Sequence, residues 1–379
     1  MQYRTLGKGG PRVSALGFGC MRLPTVEGGK INREEAIRLI RKSIDNGINY
    51  VDTAWTYQAG ESEVVLGLAL KDGYRERVTL VTKCPVGRPE FTETEHYEEY
   101  LNEQLQRLGE EYVDYYLFHA LNKKSFEEKV MGLNLIDRAL KAKEEGKIRH
   151  IGFSFHDTPD VLKEIIDSGY FELMLVQYNI VDQVNHEMIN YAGEKGLAVA
   201  IMGSVGGGRL AGEDLPDEMR KWLTPSRRNF ADLALKFVLS NPNVSVALSG
   251  MGSDEMLDDN LSITAREDYD ILTEKERESI ERIAKKFKEL CDIICTQCKY
   301  CEPCPNEVNI SFIFEALQNY QIYGHREQAK SHYSLIGKTP WAAGSNASAC
   351  EECGECLEKC PQGIEIIEQL KKAHMILSS

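Results

Sequence analysis

Eight short apolar runs, each followed by a segment of helical periodicity, occupy the first two-thirds of the chain and restrict its fold more than any other feature. The runs are Ala15–Cys20, Asn49–Ala54, Val78–Cys84, Val113–Ala120, Ile148–Phe155, Leu173–Asn179, Ala198–Ser204 and Val244–Gly250. They are bounded by glycine or polar residues and barely alternate, the pattern of strands buried on both faces. Between them lie Arg33–Asn46, Glu61–Leu70, Tyr97–Leu108, Asn134–Glu145, Pro159–Asp167, His186–Lys195, Asn229–Ser240 and Asp254–Leu261. Arg33–Asn46 shows the plan, with Ala36, Ile37, Ile40 and Ile44 on one stripe and Gly47 as a C-cap. Eight strand–helix units in ~250 residues predict an α/β fold, a (β/α)8 or TIM barrel. A doubly wound sheet is the alternative, but no Gly-x-Gly-x-x-Gly turn follows an early strand. Before the first barrel strand, Tyr3–Leu6 and Val13–Ala15 flank Gly7-Lys8-Gly9-Gly10-Pro11 and read as a hairpin plugging the closed end of the barrel.

Barrel chemistry sits where strands end and loops begin. Strand 2 ends in Asp52, with Tyr57 five residues on; strand 3 ends in Lys83 and strand 4 in His119. Each has a plain structural alternative: a helix cap, a rim aromatic, a surface ammonium, a satisfied core histidine. Together, at the ends of three consecutive strands, they make a candidate catalytic set.

The segment Asp52-Thr53-Ala54-x2-Tyr57-x2-Gly60-x-Ser62-Glu63-x2-Leu66-Gly67 resembles the signature of the aldo-keto reductase superfamily. Leu16-Gly17-Phe18-Gly19, Thr82-Lys83, Asp114 to His119, Ile151-Gly152-Phe153-Ser154 and Val176-Gln177-Tyr178-Asn179 match in order and spacing, so the similarity spans residues 3 to 265. The resemblance implies an enzyme that reduces an aldehyde or ketone, or oxidises an alcohol, acting on a small-molecule substrate with NAD(P)H. Tyr57 would be the general acid. A phenol titrates near 10, and Lys83 beside it would favour the phenolate and bring that value down. Asp52 would hold Lys83, and His119 would orient and polarise the carbonyl oxygen. Ser154 and Gln177 match the groups that hold the nicotinamide carboxamide. Gly206, Gly207 and Gly208 suit close backbone approach to a pyrophosphate, or a lid. Ser249, Gly250, Gly252 and Asn260 match the adenosine end, where a helix start offers backbone donors to a phosphate. The basic residues that commonly clamp a 2′-phosphate are missing there, and Asp254, Glu255, Asp258 and Asp259 stand nearby. NAD, weakly held NADP or another cofactor all remain open.

The last hundred residues carry a second signal. Eight of the eleven cysteines fall into Cys295-x2-Cys298-x2-Cys301-x2-Cys304-Pro305 and Cys350-x2-Cys353-x2-Cys356-x3-Cys360-Pro361. Thiolate runs of this spacing, closing on Cys-Pro, mark two-cluster iron–sulfur proteins; zinc held by four thiolates is the alternative. Cys291-x3-Cys295-x2-Cys298 also has the spacing of enzymes that cleave S-adenosylmethionine, but it lies after the barrel pattern, with Gln297 where those carry an aromatic. A helical stretch over Ile310–Glu327 between the runs resembles α-helical two-cluster ferredoxins, although the first run closes one residue short. That resemblance implies exchange of the fourth cysteine: Cys295, Cys298, Cys301 and Cys360 on one [4Fe–4S] cluster, Cys350, Cys353, Cys356 and Cys304 on the other. Cys20 and Cys84 end strand-like runs and read as small buried hydrophobes. An amphipathic helix over 273–290, expected to pack on the barrel, would lead into this part, giving a barrel over 1–270, a linking helix over 271–290 and a ferredoxin-like domain over 291–379.

The formal charge of −14 argues against a nucleic-acid partner, and no segment nears the ~18 apolar residues of a membrane span. The start has no apolar signal core, so the cysteines point to a reducing, cytoplasmic setting. Hydride chemistry moves two electrons and iron–sulfur clusters one. Three arrangements follow: a reductase with structural or sensing clusters, a flavin-linked exchange with ferredoxin or another redox protein, or a redox-sensing scaffold that is not an enzyme.

Overall fold

The computed structural model describes residues 1–379 except 27–28, 209, 211–216, 224–228, 292, 294, 296, 298 and 361. Strands β1 (Tyr3–Thr5) and β2 (Arg12–Ser14) form an antiparallel hairpin. The barrel strands are β3 (Leu16–Gly19), β4 (Tyr50–Asp52), β5 (Thr79–Cys84), β6 (Val113–Leu121), β7 (Ile148–Phe155), β8 (Leu173–Gln177), β9 (Ala198–Met202) and β10 (Val246–Ser249). Among the described residues these eight run parallel and close, β10 pairing with β3. Every residue of β4, β5, β8 and β10 is buried, which explains why their sequences do not alternate.

The hairpin fills the N-terminal mouth. Leu6 and Val13 join the core of Tyr50, Leu173, Ala198 and Val246, the first residues of four barrel strands. Burying each such side chain is worth ~1.5–3 kcal/mol. Lys8 N–H donates to Gly196 and Ser245 Oγ to Thr5, fastening the plug around the strand starts. The opposite rim, where the strands end, is left for loops.

The helices follow the predicted order. Arg33–Asp45 starts at Asn32, whose side chain accepts from Glu35 N–H, and buries Ala36, Leu39, Ile40 and Ile44. Glu61–Ala69 meets the end of His96–Leu108 at Gly67, where a Cβ would stand 2.1 Å from the Leu108 carbonyl oxygen. Only glycine permits that close approach of the two helices.

By contact density the chain forms two units, Met1–Val205 with Ala231–Leu272, and Gly206–Phe230 with Thr273–Ser379. The helix Glu274–Leu290, opened by a reciprocal Thr273–Glu276 cap, groups with the second. So does Gly206–Phe230, which chain order alone would place in the barrel. Inside the second unit, Lys286 pairs with Glu218 at 3.4 Å. The helical stretch expected over Ile310–Glu327 is two helices, Ile310–Gln321 and Arg326–Ser334. Gly324, at φ 72°, makes the break, and Ile322 turns into the core. Ile313, Phe314, Leu317, Ala329 and Leu370 pack this helical unit.

Candidate active site

Lys83 lies near the end of β5 with its side chain 1% exposed. Its Nζ donates to Asp52 Oδ1 at 2.6 Å, to the Thr53 carbonyl oxygen at 2.7 Å and to Tyr57 OH at 3.1 Å. An ammonium has three N–H groups, and these partners use all three. Asp52 is the last residue of β4, and its Oδ2 has no hydrogen-bond partner among the described residues. Burial pushes the Asp52 carboxyl up, and the Lys83 ammonium pulls it back.

Tyr57 opens a tight turn in which Gln58 and Ala59 take left-handed φ values of 48° and 58°, followed by Gly60 at 87°. Non-glycine residues held there cost of order 1–3 kcal/mol each, a strain that surrounding structure must hold. Gln58 Nε2 donates to the Leu23 carbonyl, and Ser62 Oγ bridges to Cys20 and Thr53. The sequence shows no sign of this strain, because only Gly60 carries the usual signal for a left-handed turn.

His119 faces Tyr57 edge-on, with ring centroids 6.0 Å apart. Its presentation comes from a register shift between β6 and β7 across Phe118 and Leu121, with Ala120 at φ 54°. Such bulges re-aim a side chain at a sheet rim. Burial first, then the Lys83 ammonium and His156, hold the His119 imidazole well below the usual histidine range, so it is neutral near pH 7. All four residues of the predicted catalytic set thus meet at the C-terminal rim.

The predicted cofactor residues divide. Ser154, on β7, accepts from Ala120 N–H at 2.7 Å, tying it to the same bulge. Gln177 ends β8 and donates from Nε2 to Asp182 at 2.6 Å, a partner not read from the sequence. Ser249 and Asn260 come together, Asn260 Nδ2 donating to Ser249 Oγ at 3.0 Å. Gly250 and Gly252 follow β10; a Cβ on Gly250 would lie 3.3 Å from the Arg22 side chain. Gly206, Gly207 and Gly208 all have positive φ and group with the second unit. The acidic start of the helix Asp254–Thr264 carries cations that sequence reasoning missed. Asp254 accepts from Arg38 at 2.6 Å and from Lys42 at 2.7 Å, and Lys42 also reaches Asp258 at 2.8 Å. Their signal was available: Arg38 and Lys42 stand four residues apart on one polar helix face.

In the second unit, Cys304, Cys350, Cys353 and Cys356 line one cavity together with Cys301. Five cysteines from the two runs therefore line one cavity, and thiolates are the soft donors that iron–sulfur and zinc sites use; among the described residues no three ligating side chains are gathered closely enough to hold an ion. Cys295 and Cys360 are half-buried. The buried Gln318 donates to the carbonyls of Ile293 and Cys295, bracing the first run. Cys298 lies outside the described residues. Cys20 and Cys84 are fully buried, and burial pushes both thiols up, as inert core residues require. Among the described residues no helix is long and apolar enough to cross a membrane.

A closed parallel barrel with polar side chains gathered at its C-terminal rim is an enzyme architecture. Residues 15–285 match the aldo/keto reductase family, and the chain belongs to that family. Residues 294–365 match a 4Fe-4S dicluster domain. The chain is thus an oxidoreductase of aldo-keto reductase type that carries an iron–sulfur domain. It is 25% identical to an uncharacterized oxidoreductase, YqkF, of Bacillus subtilis, over 76% of this chain and 97% of that one. It is 26% identical to L-galactose dehydrogenase of Arabidopsis thaliana, over 76% and 96%. Among solved structures, aldo-keto reductase AKR11C1 from Bacillus halodurans, in its holo form, matches with a TM-score of 0.65 and 29% identity, over 75% of this chain and 96% of that one.

Proposed function

We propose that the barrel reduces an aldehyde or ketone to the alcohol, or runs the reverse reaction, with NAD(P)H. Lys83 carries this reading: one buried ammonium bonds Asp52, Thr53 and Tyr57 at once. Because Tyr57 OH accepts from Lys83, the proton it can give is its own. Tyr57 passes that proton to the substrate oxygen, and the ammonium 3.1 Å away stabilises the phenolate left behind. Asp52 fixes Lys83 in place and offsets its charge. His119, kept neutral, offers the carbonyl oxygen a hydrogen bond without adding a second positive charge.

The reduced nicotinamide, when bound, supplies the hydride that the carbonyl carbon receives. The rim fits such a group: Ser154 and Gln177 stand near the ends of adjacent strands, and Gly203, at φ 67°, presents bare backbone beside Gln177. Ser154 and Gln177 would hold the carboxamide. Ser249, Asn260 and the backbone at Gly250 and Gly252 would hold the adenosine end.

The expected outcome of Tyr57→Phe is a fall in turnover of ~10²–10⁴-fold, with NAD(P)H binding retained by fluorescence titration. Near-normal carbonyl reduction by that variant overturns the assignment.

The cysteine runs would hold two [4Fe–4S] clusters, Cys304 with Cys350, Cys353 and Cys356 on one, and Cys295, Cys298 and Cys301 with Cys360 on the other. That Cys301 and Cys304 share a cavity with Cys350, Cys353 and Cys356 supports a joint cluster region built by both runs, and the division into two sets rests on the ferredoxin resemblance. Assembled clusters would exchange single electrons.

A further inference from the structure

Glu63 is completely buried. Its Oε1 accepts from Thr82 Oγ1 at 2.6 Å and from Gln104 Nε2, and Gln104 Nε2 also donates to the Lys83 carbonyl oxygen at 3.1 Å. Tyr116 OH donates to Gln104 Oε1 at 2.7 Å, which fixes the orientation of that amide. The other carboxylate oxygen, Oε2, takes Arg107 Nη1 at 3.3 Å. Arg107 in turn donates to the Trp55 carbonyl at 3.4 Å and lays its guanidinium over the Trp55 ring, 3.5 Å from the centroid. Its Nη1 stands 2.8 Å from where a Cβ on Gly60 would fall.

One carboxylate therefore grips two things. Through Thr82 and Gln104 it holds the end of β5, which carries Lys83. Through Arg107 it holds the Trp55 end of the loop Trp55–Gly60, which carries Tyr57, and the guanidinium also lies against the Gly60 end. Packing alone does not call for this arrangement, since a buried acid costs free energy that an apolar side chain of similar size would not. Burial pushes the Glu63 carboxyl up, while Thr82, Gln104 and Arg107 pull it down. A fully connected polar network of this kind specifies one geometry.

We infer that Glu63 is a positioning residue, holding the Lys83 strand end and the Tyr57 loop in register so that ammonium and phenol keep their contact; this rests on the reading of Tyr57 as the acid. Glu63→Gln keeps the shape and loses the charge that anchors Arg107. Arg107→Met removes the loop-side grip from a partly exposed position and keeps the Thr82 and Gln104 contacts of Glu63, which gives a second variant should Glu63→Gln fail to fold. In both variants kcat falls about tenfold, since a displacement of ~1 Å can cost up to 10²-fold. KM for NAD(P)H stays within about twofold, because the grip touches chemistry and not binding. The alkaline limb of the kcat profile, where the phenol loses its proton, moves to higher pH as Lys83 stands off. Loss of thermal stability with kcat and that limb unmoved overturns the inference, as does wild-type behaviour, when Tyr57→Phe is inactive in the same assay. An active Tyr57→Phe sinks the underlying reading, and the Glu63 inference with it.

Discussion

The Asp52–Lys83 pair can be broken from either side, and the two sides respond differently. At 2.6 Å and an effective dielectric of ~20, the direct attraction is about 6 kcal/mol. Desolvating each ion costs several kcal/mol, so the intact pair nets little against a well-packed apolar replacement. Removing one partner strands the other. Asp52→Asn keeps an acceptor but leaves the buried ammonium without its counter-charge, and should cost ~3–5 kcal/mol. At 2–4 °C per kcal/mol for a domain of this size, that lowers Tm by roughly 10 °C. Lys83→Met strands a carboxyl that burial already pushes up, and that carboxyl can take a proton instead. A group whose folded pKa is raised stabilises most at low pH and loses that contribution as pH rises through the folded value. Lys83→Met should therefore approach wild-type stability under acidic conditions and fall away toward alkaline ones, while Asp52→Asn shows no such recovery. The double variant should regain most of the loss. Thermal unfolding of all four proteins across pH, followed by circular dichroism, measures this. A cost below ~1 kcal/mol for Asp52→Asn, or a pH-independent Lys83→Met, would refute the reasoning.

Two further outcomes are expected. His119 is held well below the ordinary histidine range, so the unfolded chain binds its proton first on acidification; stability is lost as pH falls, by up to ~1.4 kcal/mol per pH unit for this one group. His119→Gln should flatten that slope in urea titrations, and an unchanged slope tells against a buried neutral imidazole. Cys304→Ser should drop anaerobically purified protein from ~8 toward ~4 irons per chain, with barrel secondary structure kept; full iron content would remove Cys304 from the ligands.

The strand ends were legible because chemistry and topology coincide there. Asp52, Lys83 and His119 each close an apolar run, and a parallel barrel brings such closing residues to one rim. The eight barrel strands were legible for a related reason: strands buried on both faces are apolar throughout, and glycines punctuate their helices; the hairpin was legible from its glycine-rich turn. Less legible was anything resting on non-local contact. The break at Gly324 was hidden because the apolar spacing continues on both sides of it. Arg38 and Lys42 read as ordinary helix surface until Asp254 and Asp258 were placed beside them. The grouping of Gly206–Phe230 with the cysteine-bearing unit has no local signature at all.

By itself the sequence determined the barrel, the four residues at its rim and the two cysteine runs, because hydrophobic periodicity and short-range spacing are local properties of a chain. Tertiary structure alone decided how those residues act on one another. It set which three acceptors occupy the Lys83 ammonium, and it put Ala120 in the left-handed conformation that aims His119. It also joined the Lys83 strand end to the Tyr57 loop through Glu63, and brought Cys304 to the cavity of the second run. Distances between side chains far apart in sequence, and the burial that sets their charge, exist only once the chain has closed on itself.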